Sequence, residues 1–353
     1  METELKGQHI LLTGGAGYIG THVALVLLEA GYEVTILDNF SNSSPVAVER
    51  LKRLTNRNVG LIEADLADRN NLDRISAALR DTGLVGAVHM AGLKAVGESV
   101  AKPGLYYEQN INSTLNLVEG LGACEARTVV FSSSATVYGD RNKSPVDESG
   151  LTGPTNPYGM TKFFNEQILA DQYQADPRWR VINLRYFNPV GAHPSGQIGE
   201  DPLGIPNNLF PFIAQVAVGR RAQLSVFGDD YDTPDGTGVR DYIHVMDLAD
   251  GHRAALDYAL GVGDGFVRNI NLGSGTGHSV LEVVTAFGEA AGHAIPYEIC
   301  PRRPGDVAEI YADASLARAL LGWQTTRSLE DMCRDHWAWQ SQNPAGYGPA
   351  TGD

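Results

Sequence analysis

An apolar run, His9–Thr13, breaks directly into Thr13-Gly14-Gly15-Ala16-Gly17-Tyr18-Ile19-Gly20, and the residues beyond it follow helical spacing. Glycines at 14, 17 and 20 let a strand turn sharply into a helix and let backbone approach a bound group closely. The unpaired N–H groups at the helix start then face that group and favour an anion such as a pyrophosphate. In a chain with 40 glycines the string alone says little; its place between strand and helix gives it weight. A second run, Glu33–Leu37, ends at Asp38, eighteen residues beyond Gly20. A carboxylate there accepts hydrogen bonds from adenosine ribose hydroxyls and repels a 2′-phosphate, which selects NAD over NADP. Tyr18 and Ile19 at the helix start, with Asn39 and Ser43 after Asp38, join the expected cofactor set.

Further apolar runs at Val59–Ala64, Val85–Met90, Thr128–Ser132 and Val181–Tyr186 alternate with helical patterns such as Thr21–Ala30 and Leu105–Gly120. That alternation is the mark of βαβ units on a parallel sheet, and runs apolar throughout fit strands covered on both faces. The expected fold is α/β: a Rossmann-type doubly wound parallel sheet with a smaller α/β C-terminal substrate-binding domain. The first domain spans 1–186. The second spans 187–343, with some chain crossing back to the first sheet, and 344–353 reads as a mobile tail. Phe187–Asn208, rich in Gly, Pro and Asn, is too long for a simple connector and reads as a binding loop. Strand ends in such a sheet face the ligand, so Asp65 and Leu66 are expected at the adenine. Met90, Ala91 and Gly92 are expected beside the cofactor backbone for the same reason.

Charge excludes some partners. The formal net charge is −15, a field that repels nucleic acid and anionic lipid, so neither is an expected partner. An anionic small substrate needs local arginines or lysines. Three cysteines (Cys124, Cys300, Cys333) without a CxxC argue against a disulfide framework and fit a reducing compartment. The opening METELKGQHILLTGG shows no basic leader before a long apolar core, and no run reaches the ~20 apolar residues of a membrane span. A cytoplasmic, soluble protein is expected. The nine histidines form no His-x-x-x-His, so no metal is expected, and His193 and His244 read as loop and packing residues.

Tyr158-Gly-Met-Thr-Lys162 is the only Tyr-x-x-x-Lys of the chain, and on a helix it sets phenol and amine on one face. Pro157 marks a helix start. A phenol ordinarily titrates near ~10, and a neighbouring ammonium is expected to lower that value and make Tyr158 a usable base. Ser132-Ser133-Ser134 closes the fifth strand, where the Ser134 hydroxyl can bridge a substrate hydroxyl and the phenol.

With these landmarks the chain resembles the extended short-chain dehydrogenase/reductase family and, within it, the UDP-hexose 4-epimerase branch. The strings that carry the likeness are HMAGLKAVGESV, FSSSATVYGD, LRYFNPVGAHPSG, IGEDPLGIPNNL, GTGVRDYIHVMDLADGH and PRRPGD. The resemblance implies tightly bound NAD, regenerated each cycle, and interconversion of UDP-glucose and UDP-galactose through transient oxidation at C4. It implies Tyr158 as acid/base, Lys162 as its tuner and ribose contact, Ser134 as relay, and Lys94 and Phe187 beside the cofactor. For a UDP-hexose it points to Asn188, Asn207, Asn208, Leu209, Phe227, Arg240, Arg303 and Asp306. Guanidinium forks suit a diphosphate. Met90 stands where the family often has an aromatic. Ile310 stands where large aromatics exclude N-acetylated sugars and small residues admit them, so little activity on UDP-N-acetyl sugars is expected. A homodimer is common in the family and is expected here.

Two alternatives stay open at this point. A sugar-nucleotide 4,6-dehydratase needs an Asp-Glu pair just after the relay residue, and this chain has Ala135 and Thr136 there. A silent NAD-sensing module predicts loss of Tyr158 or Lys162, and both are present.

Overall fold

The computed structural model describes residues 7–204, 206, 208–303 and 305–348. Strand β1 (His9–Thr13) leads through the glycine loop to α1 (Tyr18–Ala30) and β2 (Glu33–Asp38). Next come α2 (Pro45–Thr55), β3 (Gly60–Glu63), α3 (Leu72–Leu79), β4 (Leu84–His89), α4 (Val96–Ala101) and α5 (Pro103–Ala123). β5 (Thr128–Ser134), α6 (Pro157–Ala175) and β6 (Arg180–Tyr186) follow, then β7 (Asn188–Val190), α7 (Leu209–Ala217) and β8 (Leu224–Phe227). The chain continues as β9 (Val239–His244), α8 (Val245–Gly261), β10 (Phe266–Leu272), β11 (Gly277–Ser279) and α9 (Val280–Ala291). β12 (Tyr297–Cys300), β13 (Glu309–Ile310), α10 (Ser315–Leu321) and α11 (Leu329–Gln342) complete it.

Seven strands make one sheet in the order β10-β6-β5-β4-β1-β2-β3. Pairings β3–β2, β2–β1, β1–β4 and β4–β5 are parallel, so the strand order reverses beside β1, where a doubly wound sheet opens its ligand crevice. Leu11, Ala87, Val129 and Phe131, at most 1% exposed, form the core with Leu117, Leu121 and Trp179. The central apolar runs are strands covered on both faces, whereas β3 at the sheet edge leaves Leu61 41% exposed. α1 stops at Gly31, whose φ of 97° is left-handed, and the chain folds straight back into β2.

The chain divides into two compact units. The first comprises Met1–Arg141, Leu151–Arg185 and Ala249–Ile270; the second comprises Asn142–Gly150, Tyr186–Leu248 and Asn271–Asp353. Thus β10, far along the sequence, pairs with β6 at the edge of the large sheet. Within the second unit β9 pairs with β7, β11 and β13, while β12 pairs in parallel with β8. Its core joins Phe210, Phe287, Tyr242 and Cys333 across α7, α9, β9 and α11. Both α9 and α11 open on capping boxes, Ser279 with Glu282 and Ser328 with Asp331.

Residues 344–348 depart from the expectation of a loose tail. Tyr347 donates its N–H to Asp201 Oδ2 at 2.8 Å, and its ring lies 4.7 Å from that of Trp339. Among the described residues, no helix is long and apolar enough to cross a membrane.

Candidate functional site in the two units

The glycines of the β1–α1 loop are required by space. A Cβ on Gly20 would stand 2.4 Å from the Gly14 carbonyl oxygen, and one on Gly14 (φ +68°) would stand 2.8 Å from the Ala91 nitrogen. Gly17 caps α1 in extended conformation with no side-chain cap, which leaves the helix start to backbone N–H groups. At the end of β2, Asp38 is 7% exposed. Its Oδ2 accepts the Ala16 N–H at 2.9 Å, while Oδ1 accepts the Phe40 N–H at 2.9 Å and the Ser43 hydroxyl at 2.8 Å. Asp38 thus fixes the loop and presents a carboxylate at the same point. A cradle that any side chain would fill, an uncapped helix start and a held carboxylate together fit a dinucleotide.

Other expected cofactor residues are more varied. Asn39 is exposed and its Oδ1 accepts the Ser41 N–H at 3.0 Å. Asp65 Oδ1 accepts the Ala67 N–H at 2.9 Å, and Leu66 is buried with its carbonyl on Asn116 Nδ2 at 2.8 Å. Tyr18 and Ile19 are half-buried in the first turn of α1, and Met90 and Ala91 are half-buried after β4. Gly92, with φ +154°, is exposed, as is Lys94. Phe187 lies in the second unit, 7% exposed.

A buried polar chain beneath this loop escaped the sequence reading. Thr13 Oγ1 accepts the N–H groups of Met90 and Ala91, both at 3.3 Å, so its proton goes to His89 Nδ1 at 2.7 Å. His89 Nε2 then carries the ring proton and donates to Thr114 Oγ1 at 3.0 Å, which donates to the Asn110 carbonyl at 3.2 Å. Burial, with the Lys162 charge as a second cause, pushes the His89 imidazole down to about 3, so it stays neutral. Asn110 holds the loop from both sides, accepting the Leu93 N–H at 2.7 Å and donating to the Leu93 carbonyl at 3.0 Å.

Ser134, Tyr158 and Lys162 come together in the first unit. Asn156 Oδ1 accepts the Gly159 N–H at 2.9 Å and Pro157 takes the first helical position, so α6 begins one residue before Tyr158. Ser134 Oγ accepts the Thr136 N–H at 3.2 Å and the Thr136 hydroxyl at 3.0 Å. With both lone pairs taken, its proton points to Tyr158, the hydrogen bond that favours the phenolate. Lys162 Nζ donates to the Ser132 carbonyl at 2.7 Å and stands 5.0 Å from the Phe131 ring centre and 5.8 Å from that of Tyr158.

The net shift of the Tyr158 phenol differs from the expectation. Burial pushes the Tyr158 phenol up to about 12, against the lowering hydrogen bond from Ser134. Burial also pushes the Lys162 amine down to about 8. Desolvation thus opposes the charged form of both groups, while an amine at about 8 still keeps its proton near neutral pH. Sequence shows which face two groups share but not their desolvation, which here outweighs the lowering of the phenol that was expected.

Behind the triad lies a second network that the sequence reading missed. Glu166, one turn beyond Lys162, takes both forks of Arg185, at 2.9 and 2.6 Å, and the Ser133 hydroxyl at 2.5 Å. The Arg185 guanidinium also reaches the Tyr138 hydroxyl at 3.2 Å. The signal was an arginine inside the largely apolar run Val181–Tyr186, whose one other strongly polar residue is Asn183.

In the second unit the β9 register sets Arg240 opposite Ile310 of β13. Arg240 pairs with Asp306 at 3.5 Å. The Arg303 guanidinium lies 3.8 Å from the Phe227 ring centre. Asn188 Nδ2 donates to the Asp241 carbonyl at 3.0 Å, and Asn208 Nδ2 to Glu200 Oε1 at 3.3 Å. Leu209 opens α7. Asn207 lies outside the described residues. Asp241, which the sequence reading passed over, accepts from Ser274 N, Ser274 Oγ, Gly275 N and Ala312 N at 2.7–3.1 Å and so ties β9 to the strand carrying Ile310.

Sheet order, glycine cradle and the Ser-Tyr-Lys set define the class: an extended short-chain dehydrogenase/reductase. A model of the family described as GDP-mannose 4,6 dehydratase matches residues 11–336. UDP-glucose 4-epimerase of Bacillus subtilis is 54% identical over 340 residues, 96% of this chain and 98% of its own. The human UDP-glucose 4-epimerase is 53% identical over 348 residues, 97% and 99% of the two chains. A solved structure of the Bifidobacterium longum UDP-glucose 4-epimerase in complex with NAD+ and UDP shares 51% identity at a TM-score of 0.91, covering 96% of this chain and 100% of that one. The chain belongs to the UDP-glucose 4-epimerase family.

The burial of Lys162 has a measurable signature. Its folded value, about 8, lies below its ordinary 10.5, so between those pH values only the unfolded chain binds the proton. Stability therefore rises with pH through that window, by up to roughly 2–3 kcal/mol relative to Lys162→Met, which has no such group. Urea unfolding of both proteins at pH 8 and pH 10.5 checks this; a constant difference would mean that the amine is not desolvated.

Proposed function

We propose that this protein interconverts UDP-glucose and UDP-galactose by reversible oxidation at C4 of the hexose. The observation that carries the reading is the environment of Ser134. Its neighbours are an apolar Ala135 and a Thr136 whose hydroxyl is spent on Ser134 itself, so neither position after Ser134 supplies an acid or base for eliminating water. What remains is one hydroxyl relay and one phenol, the equipment for moving a single proton on and off an alcohol.

The glycine cradle and Asp38 would hold NAD, which would supply a reversible hydride acceptor for the sugar carbon and, when oxidised, a positively charged ring. Tyr158 accepts the C4 hydroxyl proton, directly or through Ser134, and gives it back. Lys162, anchored on Ser132, holds the phenol side of the site and contacts the ribose. Gly14, Gly17 and Gly20 let the backbone meet the pyrophosphate, and Lys94 and Phe187 stand beside the cofactor. Arg240 and Arg303 take the substrate diphosphate, Asn188 and Asn208 orient the nucleotide, and Phe227 lies beside the uracil. A firm hold on UDP lets the oxidised hexose turn about its glycosyl–phosphate linkage and present its other face.

We place the protein in the cytoplasm, on the strength of three free thiols, Cys124, Cys300 and Cys333, and cell fractionation tests this. It works as a homodimer. Support comes from exposed apolar side chains on neighbouring helices of the first unit: Leu115 of α5 is 46% exposed and Phe164 of α6 is 42% exposed, with Tyr107 6.1 Å from Phe164.

Purified protein converts UDP-galactose to UDP-glucose without added cofactor, and Tyr158→Phe lowers kcat by about 10²–10⁴-fold with UDP affinity little changed. An active Tyr158→Phe enzyme contradicts the assigned base. On UDP-N-acetylgalactosamine, kcat/KM is lower than on UDP-galactose by about tenfold or more, because β-branched Ile310 crowds the added acetamide. Comparable rates on both sugars would remove Ile310 as a gate. Sedimentation gives twice the monomer mass for the wild type and a monomer for Leu115→Glu/Phe164→Glu; a monomeric wild type sinks the dimer.

A further inference from the structure

We infer that the C-terminal segment from Trp339 to Tyr347 is a positioning element of the nucleotide-sugar site, holding in place the loop that ends at Asn208. The inference rests on the reading that Asn208 contacts UDP. Between His193 and Gly204 the chain forms neither helix nor strand; it bonds to itself only locally, within His193–Ile198, and outside contacts hold the rest. The C-terminal segment supplies them at successive points. Asn343 Nδ2 donates to the Gly196 carbonyl at 2.9 Å, and Trp339 Nε1 donates to the Glu200 carbonyl at 3.1 Å. The Tyr347 hydroxyl donates to the Gly199 carbonyl at 3.2 Å, while the Tyr347 N–H bonds Asp201 at 2.8 Å.

Packing is as close as the hydrogen bonding. A Cβ on Gly199 would stand 2.3 Å from the Trp339 ring, and one on Gly346 would stand 2.1 Å from the Asp201 carboxylate. Trp339 is wholly buried, and Tyr347 stacks against it at 4.7 Å. Held on both sides by these contacts, Glu200 is 4% exposed and accepts the Asn208 amide at 3.3 Å. Tyr347 and Trp339 thus act on Asn208 through Glu200 and touch no reacting atom. Their loss should loosen the grip on UDP and leave proton transfer alone, since Ser134, Tyr158 and Lys162 belong to the other unit.

The test compares the full chain with a chain ending after Asn343, with Tyr347→Ala and Tyr347→Phe, and with a chain ending after Gly348. UDP affinity is measured by calorimetry and UDP-galactose turnover by steady-state kinetics. Ending at Asn343 or replacing Tyr347 by Ala raises both the UDP Kd and the KM about five- to twentyfold while kcat stays within about twofold, the pattern of lost uniform binding. Tyr347→Phe keeps the ring on Trp339 and recovers most of the affinity, and the chain ending after Gly348 keeps wild-type values. Unchanged Kd and KM in both the truncated chain and Tyr347→Ala overturn the inference, as does a fall in kcat at constant KM. A full chain that binds UDP but turns over no UDP-hexose would instead sink the proposed activity, leaving the Kd comparison to decide the role of the segment.

Discussion

An amine kept in the dark beside a phenol is the constraint around which the first unit is arranged. Lys162 is 6% exposed, and burial works against its charge. Three features make the position tolerable: the Ser132 carbonyl at 2.7 Å, the face of Phe131, and a neighbouring His89 that stays neutral. The neutral histidine is itself specified by hydrogen bonds, because Thr13 donates to its Nδ1 and leaves Nε2 to carry the proton. A doubly protonated His89 would set a second positive charge near the amine and break its link with Thr13. The glycine cradle and the Ser-Tyr-Lys set are therefore coupled through buried side chains, although each reads as a separate motif in the sequence.

The same logic explains the bidentate pair between Arg185 and Glu166. A buried ion pair does little for net stability, since desolvation offsets its attraction, but it is costly to misplace. Here it binds β6 to α6 and, through Ser133, to β5, the strand whose last residue is Ser134. With β5 and α6 joined one residue away from Ser134 and one turn away from Lys162, the relay and the phenol keep their spacing. Packing of apolar side chains alone would allow more sliding of a helix over a sheet.

How much of this was legible follows from how local each feature is. The six leading strands and the start of α6 could be read because apolar runs, glycines and a helix-start proline act within a few residues. A return of late chain to the first sheet was expected, but that β10 is the returning strand and lies beside β6, and that α11 forms, could not be read, since both depend on partners distant in sequence. The candidate site splits along the same line. Gly14, Gly20, Asp38, Tyr158 and Lys162 announce themselves by spacing, whereas Arg240 meets Ile310 only through a parallel register across some seventy residues. Asp241 went unread because its role is to accept hydrogen bonds from two remote backbone segments, which no local pattern encodes. The upward shift of the Tyr158 phenol went unread for a different reason, since it depends on burial that a four-residue spacing cannot report.

The proposed diphosphate substrate of a chain with net charge −15 meets an opposing field, and the second unit holds arginines suited to offset it. Arg240 is paired with Asp306, and Arg303 lies over Phe227, so neither guanidinium waits bare in solvent. On the proposed reading, a diphosphate would exchange these internal partners for its own oxygens. The net gain is the difference between a bidentate phosphate contact and a half-exposed ion pair or ring stack, not the full Coulomb energy of two isolated charges. That difference favours phosphate while leaving the arginines ordered beforehand, which reduces the entropy lost on binding. It also separates the roles of the two units chemically. The second is equipped with charged groups that change partner, and the first with desolvated groups whose protons are held until an alcohol is presented to them.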